Sequence, residues 1–202
     1  MIPLRTVKAA SMKAVYETSA AKANQLPPIS IPEFAFIGRS NVGKSSLLNA
    51  LLNHKGLARS SATPGRTQMA NFFRVNDQYY FVDLPGYGYS AAANKDHKDW
   101  QNLMETYFNR SSIARFLFLW DPRRELNQID FDLLKRLAER AELSLILTKC
   151  DKLARSERAS RINFISNSLK SSGVPLRSIH EVSCLTKEGI KDLIEELIGP
   201  KS

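Results

Sequence analysis

Cysteine and histidine are scarce: the chain has two Cys, Cys150 and Cys184, and three His, His54, His97 and His180, at no spacing that suits a metal ion. That excludes a disulfide framework and a zinc module, and such sparse thiol use suits a reducing cytosol, so a cytoplasmic protein is expected. Long apolar runs are missing too. The longest strictly apolar ones, such as Phe116–Trp120, fall far short of the roughly 18 residues that a membrane span needs, so no span is expected. No signal-peptide core follows Met1. Acidic residues are in deficit, 20 Asp and Glu against 29 Lys and Arg, which leaves a formal charge of +9. Such a surface attracts a polyanion by counterion release, with RNA the natural suspect; the plainer reading is charge that serves solubility only. At 202 residues with 43% hydrophobic and 24% charged content, the chain fits one folded domain of ordinary composition.

Residues 1–30 combine small residues, scattered lysines and Leu26-Pro27-Pro28, which reads as a short basic N-terminal helix and a rigid Pro-containing connector, an appendage to a domain spanning 31–202. From there apolar runs alternate with helical periods. Glu33–Ile37 reads as a strand, Lys44–Asn53 as a helix, and Met69–Val75 and Gln78–Asp83 as two strands around Asn76-Asp77, close enough for an antiparallel hairpin. Strand and helix then recur: Ala114–Asp121, Gln128–Glu139, Leu143–Thr148, Ser156–Ser171, Arg177–Ser183 and Lys187–Ile198, with Gly199-Pro200 as a stop. The expected fold is α/β: a mixed, mostly parallel sheet of about six strands with helices on both faces.

Directly after the first of these strands comes Gly38-Arg39-Ser40-Asn41-Val42-Gly43-Lys44-Ser45, with Ser46 following. The spacing is that of a phosphate-binding loop: glycines let backbone N–H groups turn inward, Lys44 brings a cation to the terminal phosphates, and Ser45 offers a hydroxyl to magnesium at a helix N-terminus. Asp83-Leu84-Pro85-Gly86 ends a strand expected beside the first one. Its carboxylate can reach the magnesium and its Gly86 N–H a γ-phosphate, whereas alone it would be an ordinary turn. Between them, Thr63-Pro64-Gly65-Arg66-Thr67-Gln68 precedes Met69. Thr67 can complete the magnesium shell in the triphosphate state, which makes Thr63–Gln68 and Leu84–Asn94 candidate switches.

Thr148-Lys149-Cys150-Asp151 ends another apolar strand. A carboxylate there accepts from N1–H and the exocyclic amine of guanine, while adenine has no such amine, so Asp151 selects GTP over ATP. Lys149 lays its stem on the base plane, and Ser183-Cys184-Leu185 can close over the base with a backbone N–H to O6. Asn41 carries two readings: a loop-capping amide, or a place for a potassium ion beside the phosphates. Arg39 is expected as a solvated arginine rather than a finger in cis. Cys184 and Trp120 read as packing variants. Arg155, Arg158 and Arg161 suggest a stripe on one helix face, solvated or touching rRNA, and Arg123-Arg124 has the same ambiguity.

On these strings, and on Asp83-Leu84-Pro85-Gly86-Tyr87-Gly88-Tyr89 with Thr148 where most GTPases place Asn, the chain resembles the translation-factor-related GTPases and more closely the EngB (YihA/YsxC) family of ribosome-assembly GTPases, over about residues 30–198. The resemblance implies a Ras-like P-loop fold and GTP hydrolysis with magnesium. It also implies a role in large (50S) subunit assembly that is needed for normal division and septation, with pre-ribosomal particles as partners. A monomer is expected. Tyr87 stands where many GTPases have a water-orienting glutamine, so slow intrinsic hydrolysis is expected. A nucleotide-gated RNA-binding module with incidental hydrolysis is the alternative; a P-loop small-molecule kinase is disfavoured by Asp151.

Overall fold

The computed structural model describes residues 12–54, 56–58, 69–87 and 95–199, the side chains of 95–97 aside. Among these the elements run β1 (Ala14–Ala20), β2 (Glu33–Gly38), α1 (Lys44–Leu51), β3 (Ala70–Val75), β4 (Tyr79–Asp83), α2 (Lys95–Phe108), β5 (Ile113–Trp120), α3 (Gln128–Ala138), β6 (Glu142–Leu147), α4 (Arg155–Ser171), β7 (Ser178–Glu181) and α5 (Ile190–Ile198). They build one seven-stranded sheet in the order β1-β3-β4-β2-β5-β6-β7. The β1–β3 and β3–β4 pairs are antiparallel, and β4–β2, β2–β5, β5–β6 and β6–β7 are parallel.

Side-chain alternation on the central strands divides the core into two layers, as the two-residue period of a strand requires. Phe34 and Phe36 of β2 and Leu117 and Leu119 of β5 point to one face, where α1 and α5 bring Leu47, Leu48, Leu51, Leu193 and Leu197. Ala35 and Ile37, with Phe116, Phe118 and Trp120, point to the other, covered by Leu103 and Tyr107 of α2, Leu134 and Leu137 of α3, and Ile165 and Leu169 of α4. The β3–β4 hairpin turns on Asn76 and Asp77 with φ of 52° and 56°, the left-handed pair that matches the strand twist in a tight hairpin.

Two elements depart from the sequence reading. Residues 14–20 form no helix: they are an extended edge strand, so the sheet has seven strands. Ala14 pairs with Val75 and Ala20 with Ala70, and Glu17 accepts from the Arg74 guanidinium and, at 2.7 Å, from Tyr80 Oη. Local helical propensity there is weak beside a free sheet edge and cross-strand partners. The helix Lys95–Phe108 was not expected from the sequence, although Trp100, Leu103, Met104 and Tyr107 recur at helical spacing and pack into the core.

Candidate functional site

Among the described residues, the segments singled out by the sequence lie at the C-terminal ends of the parallel strands, where an α/β sheet opens a crevice for ligands. The loop from Gly38 to Ser45 joins β2 to α1 across the sheet centre. Asn41 and Gly43 take positive φ of 61° and 108°, which curls the backbone into a nest whose N–H groups suit an anion. Gly38 lies against β5, and a Cβ on it would stand 2.8 Å from Leu119 O.

Lys44, Ser45 and Asp83 meet as the motif predicts. Lys44 Nζ lies 2.8 Å from Asp83 Oδ1, and Ser45 Oγ donates to Asp83 Oδ2 at 3.3 Å. Asp83 is buried at the end of β4. A hydroxyl and a carboxylate facing each other suit a hard divalent cation such as magnesium, which takes oxygen ligands and keeps positions for phosphate and water. Among the described residues no group of three or more His, Cys, Asp or Glu side chains could hold a metal without such help. The third metal ligand anticipated, Thr67, lies outside the described residues with Gly65, Arg66 and Gln68; Met69 is within them and exposed. Ser46 is exposed at the start of α1. Leu84 and Pro85 are buried, Leu84 in the core, so this stretch can face a ligand only with backbone and with Gly86.

At the other end, β6 carries Thr148, Lys149 and Asp151 into place. Thr148 Oγ1 donates to Val42 O at 2.8 Å. Lys149 adopts φ of 58°, and its Nζ donates to Asn41 O at 2.7 Å and lies 3.5 Å from Asp121 Oδ2. Both residues therefore fasten the segment after β6 to the loop between β2 and α1. Asp151 Oδ1 accepts from Ser183 Oγ at 2.6 Å, and the fully buried Ser183 hydroxyl in turn accepts from the Thr186 N–H at 3.2 Å. This chain of hydrogen bonds fixes the orientation of the Asp151 carboxylate. Leu185 is largely exposed. Cys184 is half-buried, and burial together with the charge of Asp151 pushes its thiol up, away from reactivity at neutral pH.

Arg39 corrects the expectation of a solvated side chain. Its Nε and Nη2 donate to Asp130 at 3.0 and 2.8 Å, and its guanidinium lies 5.4 Å from the Trp120 ring centroid. Tyr87 Oη donates to the same Asp130 at 2.8 Å; burial first, then the charge of Asp130, lift the phenol far above its usual value, so it stays a neutral donor. The arginine stripe on α4 also dissolves. Arg158 pairs with Glu188 at 2.8 Å, and Arg161 donates to the carbonyls of Pro122 and Arg124 at 2.6 and 2.7 Å. Arg123 is held by Asp121, while Arg124 and Arg155 are exposed. Asp121 and Asp130 escaped the sequence reading. The capping box Asn127-x-x-Asp130, with Asp130 N–H donating to Asn127 Oδ1 at 3.2 Å, is the sequence signal that would have singled out Asp130 at the start of a helix.

Comparison with known proteins converges on one group. Residues 33–149 match the family model described as a 50S ribosome-binding GTPase. The chain is 43% identical over 178 residues to a Geobacter metallireducens protein named "Probable GTP-binding protein EngB", covering 87% of this chain and 86% of that one. It is 46% identical over 147 residues to one of the same name from Chlorobium phaeobacteroides, covering 72% and 77%. Among solved structures, a probable GTP-binding protein EngB superposes with TM-score 0.58 at 22% identity, over 80% of this chain and 94% of that one. Era in complex with MgGDPNP and nucleotides of 16S ribosomal RNA gives TM-score 0.64 at 20% identity, over 87% and 59%.

Proposed function

The chain belongs to the EngB family of GTP-binding proteins, with a P-loop GTPase fold, and from that premise we propose that it binds GTP and GDP, hydrolyses GTP to GDP and phosphate, and serves as a nucleotide switch in assembly of the large ribosomal subunit. One observation carries the reading. A phosphate-type cluster (Lys44, Ser45, Asp83) and an oriented carboxylate (Asp151 with Ser183) stand at two ends of one crevice, joined by the Thr148 and Lys149 hydrogen bonds to the phosphate loop.

Binding proceeds by exchange of partners. The loop N–H groups take the β-phosphate, and Lys44 leaves Asp83 for the phosphate oxygens. Ser45, Thr67 and Asp83 would hold magnesium, which would supply positive charge to the phosphates. Asp151 accepts from guanine N1–H and N2–H, Lys149 covers the ring, and the backbone around Cys184 and Leu185 closes over O6. Gly65, Arg66, Gln68 and Met69 are assigned to the triphosphate in this reading. Hydrolysis is electrostatic and positional: Lys44 stabilises charge on the transferring phosphoryl while water attacks in line. Tyr87 is committed to Asp130, so it does not orient that water, and intrinsic turnover is expected near 10⁻⁴ per second, on the order of other unassisted switches. Asn41, exposed on the rim of the loop, keeps both of its readings, a loop-capping amide or a place for a potassium ion.

The ribosomal part rests on the description of the matching family, on the charge of +9, and on an RNA-bound structural neighbour. The protein acts as a cytoplasmic monomer whose depletion disturbs division and septation through ribosome supply. Single-turnover hydrolysis with and without 50S precursors, in potassium against sodium, tests this. Stimulation by the particle is expected; no stimulation in any condition favours a nucleotide-gated RNA-binding module, a reading that the engagement of Tyr87 and Arg39 by Asp130 also favours.

A further inference from the structure

Asp130 is the third residue of α3, and its carboxylate has no exposed surface. Oδ1 accepts from Arg39 Nε at 3.0 Å and Tyr87 Oη at 2.8 Å; Oδ2 accepts from Arg39 Nη2 and the Asn127 N–H, each at 2.8 Å. Four donors occupy the four acceptor sites that a carboxylate has. Two of the anchored residues belong to opposite walls of the phosphate end: Arg39 to the phosphate loop and Tyr87 to the segment after β4.

The main chain repeats this connection. Arg39 and Tyr87 form a parallel bridge, and the Tyr87 N–H donates to Gly38 O at 3.4 Å. On the other side, the Leu84 N–H donates to Phe36 O at 3.0 Å and its side chain is buried. Gly86 is therefore tethered on both flanks, and it rests on the phosphate loop so closely that a Cβ would stand 3.0 Å from Ser40 Oγ and 3.1 Å from Ser40 N. The Tyr87 ring completes the anchor against Phe118, with centroids 5.7 Å apart.

We propose that Asp130 is a positioning residue for the third phosphate: by gripping Tyr87 and Arg39 together it holds Gly86 on the rim of the loop before the triphosphate arrives. The proposal rests on the guanine-nucleotide reading of the site and deepens it. A diphosphate ends short of Gly86 and gains nothing from the anchor, whereas a triphosphate binds a contact already ordered, without the entropy of ordering it. Discrimination between GTP and GDP is thus set in part from the N-terminus of α3, outside the ligand's reach.

The test is calorimetric titration of the full chain, with magnesium, against GDP and a non-hydrolysable GTP analogue. Tyr87→Phe keeps the ring and its packing and removes one hydrogen bond to a charged group. Affinity for the analogue is expected to fall about fivefold to tenfold while that for GDP stays within about twofold. Asp130→Asn, which keeps the shape of the side chain, is expected to shift the ratio the same way and further. An equal loss for both ligands, an unchanged ratio, or tighter analogue binding in Tyr87→Phe overturns the proposal and leaves the guanine site standing. Wild-type protein that binds neither ligand overturns the site and the proposal with it. Should Asp130→Asn not fold, Tyr87→Phe decides alone.

Discussion

Asp151→Asn replaces one carboxylate oxygen by an NH2 group and changes almost nothing else. The structure fixes which oxygen survives. Ser183 Oγ donates to Asp151 Oδ1 at 2.6 Å, so the amide oxygen keeps that hydrogen bond and the NH2 takes the place of the other oxygen. Guanine presents two N–H donors to this group, and hydrogen bonds to a charged acceptor contribute about 1.5–3 kcal/mol each. One acceptor is lost outright, and the remaining contact loses its charge while a donor faces a donor. A net loss of about 3 kcal/mol is expected, a factor of roughly a hundred or more in GDP affinity. Xanthine carries a carbonyl where guanine has its amine, so the same NH2 now finds an acceptor. Competition of GDP, xanthosine diphosphate and ADP against a fluorescent guanine nucleotide reads the outcome, with a thermal melt as control, since a partly exposed change of this kind moves stability by only about 0.5 kcal/mol. A variant that still prefers GDP over xanthosine diphosphate would refute the base-reading role of Asp151.

Gly38→Ala places a methyl 2.8 Å from Leu119 O and 2.9 Å from Val42 Cγ1, so β2 and the phosphate loop must shift; destabilisation of about 1–3 kcal/mol in urea unfolding, with weakened nucleotide binding, is expected. Arg110→Ala strands the carboxylate of Glu33, which is 1% exposed and receives Arg110 Nη2 at 2.6 Å; a loss of about 3–5 kcal/mol is expected, and the double change of Arg110 and Glu33 to Met should recover most of it. Hydrogen bonds from Arg123 hold Asp121 down from 3.8 to about 2. A depressed carboxylate stabilises the fold above its unfolded value and loses that contribution as pH falls through the folded one. The stability gap between wild type and Asp121→Asn should therefore be full at neutral pH and shrink between pH 4 and 2; a gap that does not change with pH contradicts this.

The layered α/β arrangement was legible because it rests on period: Phe34, Phe36 and Leu117 against Ala35, Ile37 and Phe116 sort to opposite faces by alternation alone. The contacts among Lys44, Ser45 and Asp83, and between Asp151 and Ser183, follow from motifs whose residues have fixed duties at strand ends. What escaped depends on partners far apart in sequence. Strand β1 exists because β3 offers an edge, which nothing in residues 14–20 announces. Arg39 is 91 residues from Asp130, so its engagement is set by the packing of α3 and not by its motif. The segment Thr63–Gln68, a candidate switch, lies outside the described residues.

The ties from Thr148 to Val42 O and from Lys149 to Asn41 O make a ruler of the crevice. In the proposed guanine-nucleotide site, the span between nucleobase reader and phosphate cradle is set by backbone carbonyls of the protein, not stretched to suit whichever ligand enters. Swapping the base and lengthening the tail should therefore behave as independent perturbations, with energies that add, so that one surface keeps the identity of the nucleoside while another counts its phosphates.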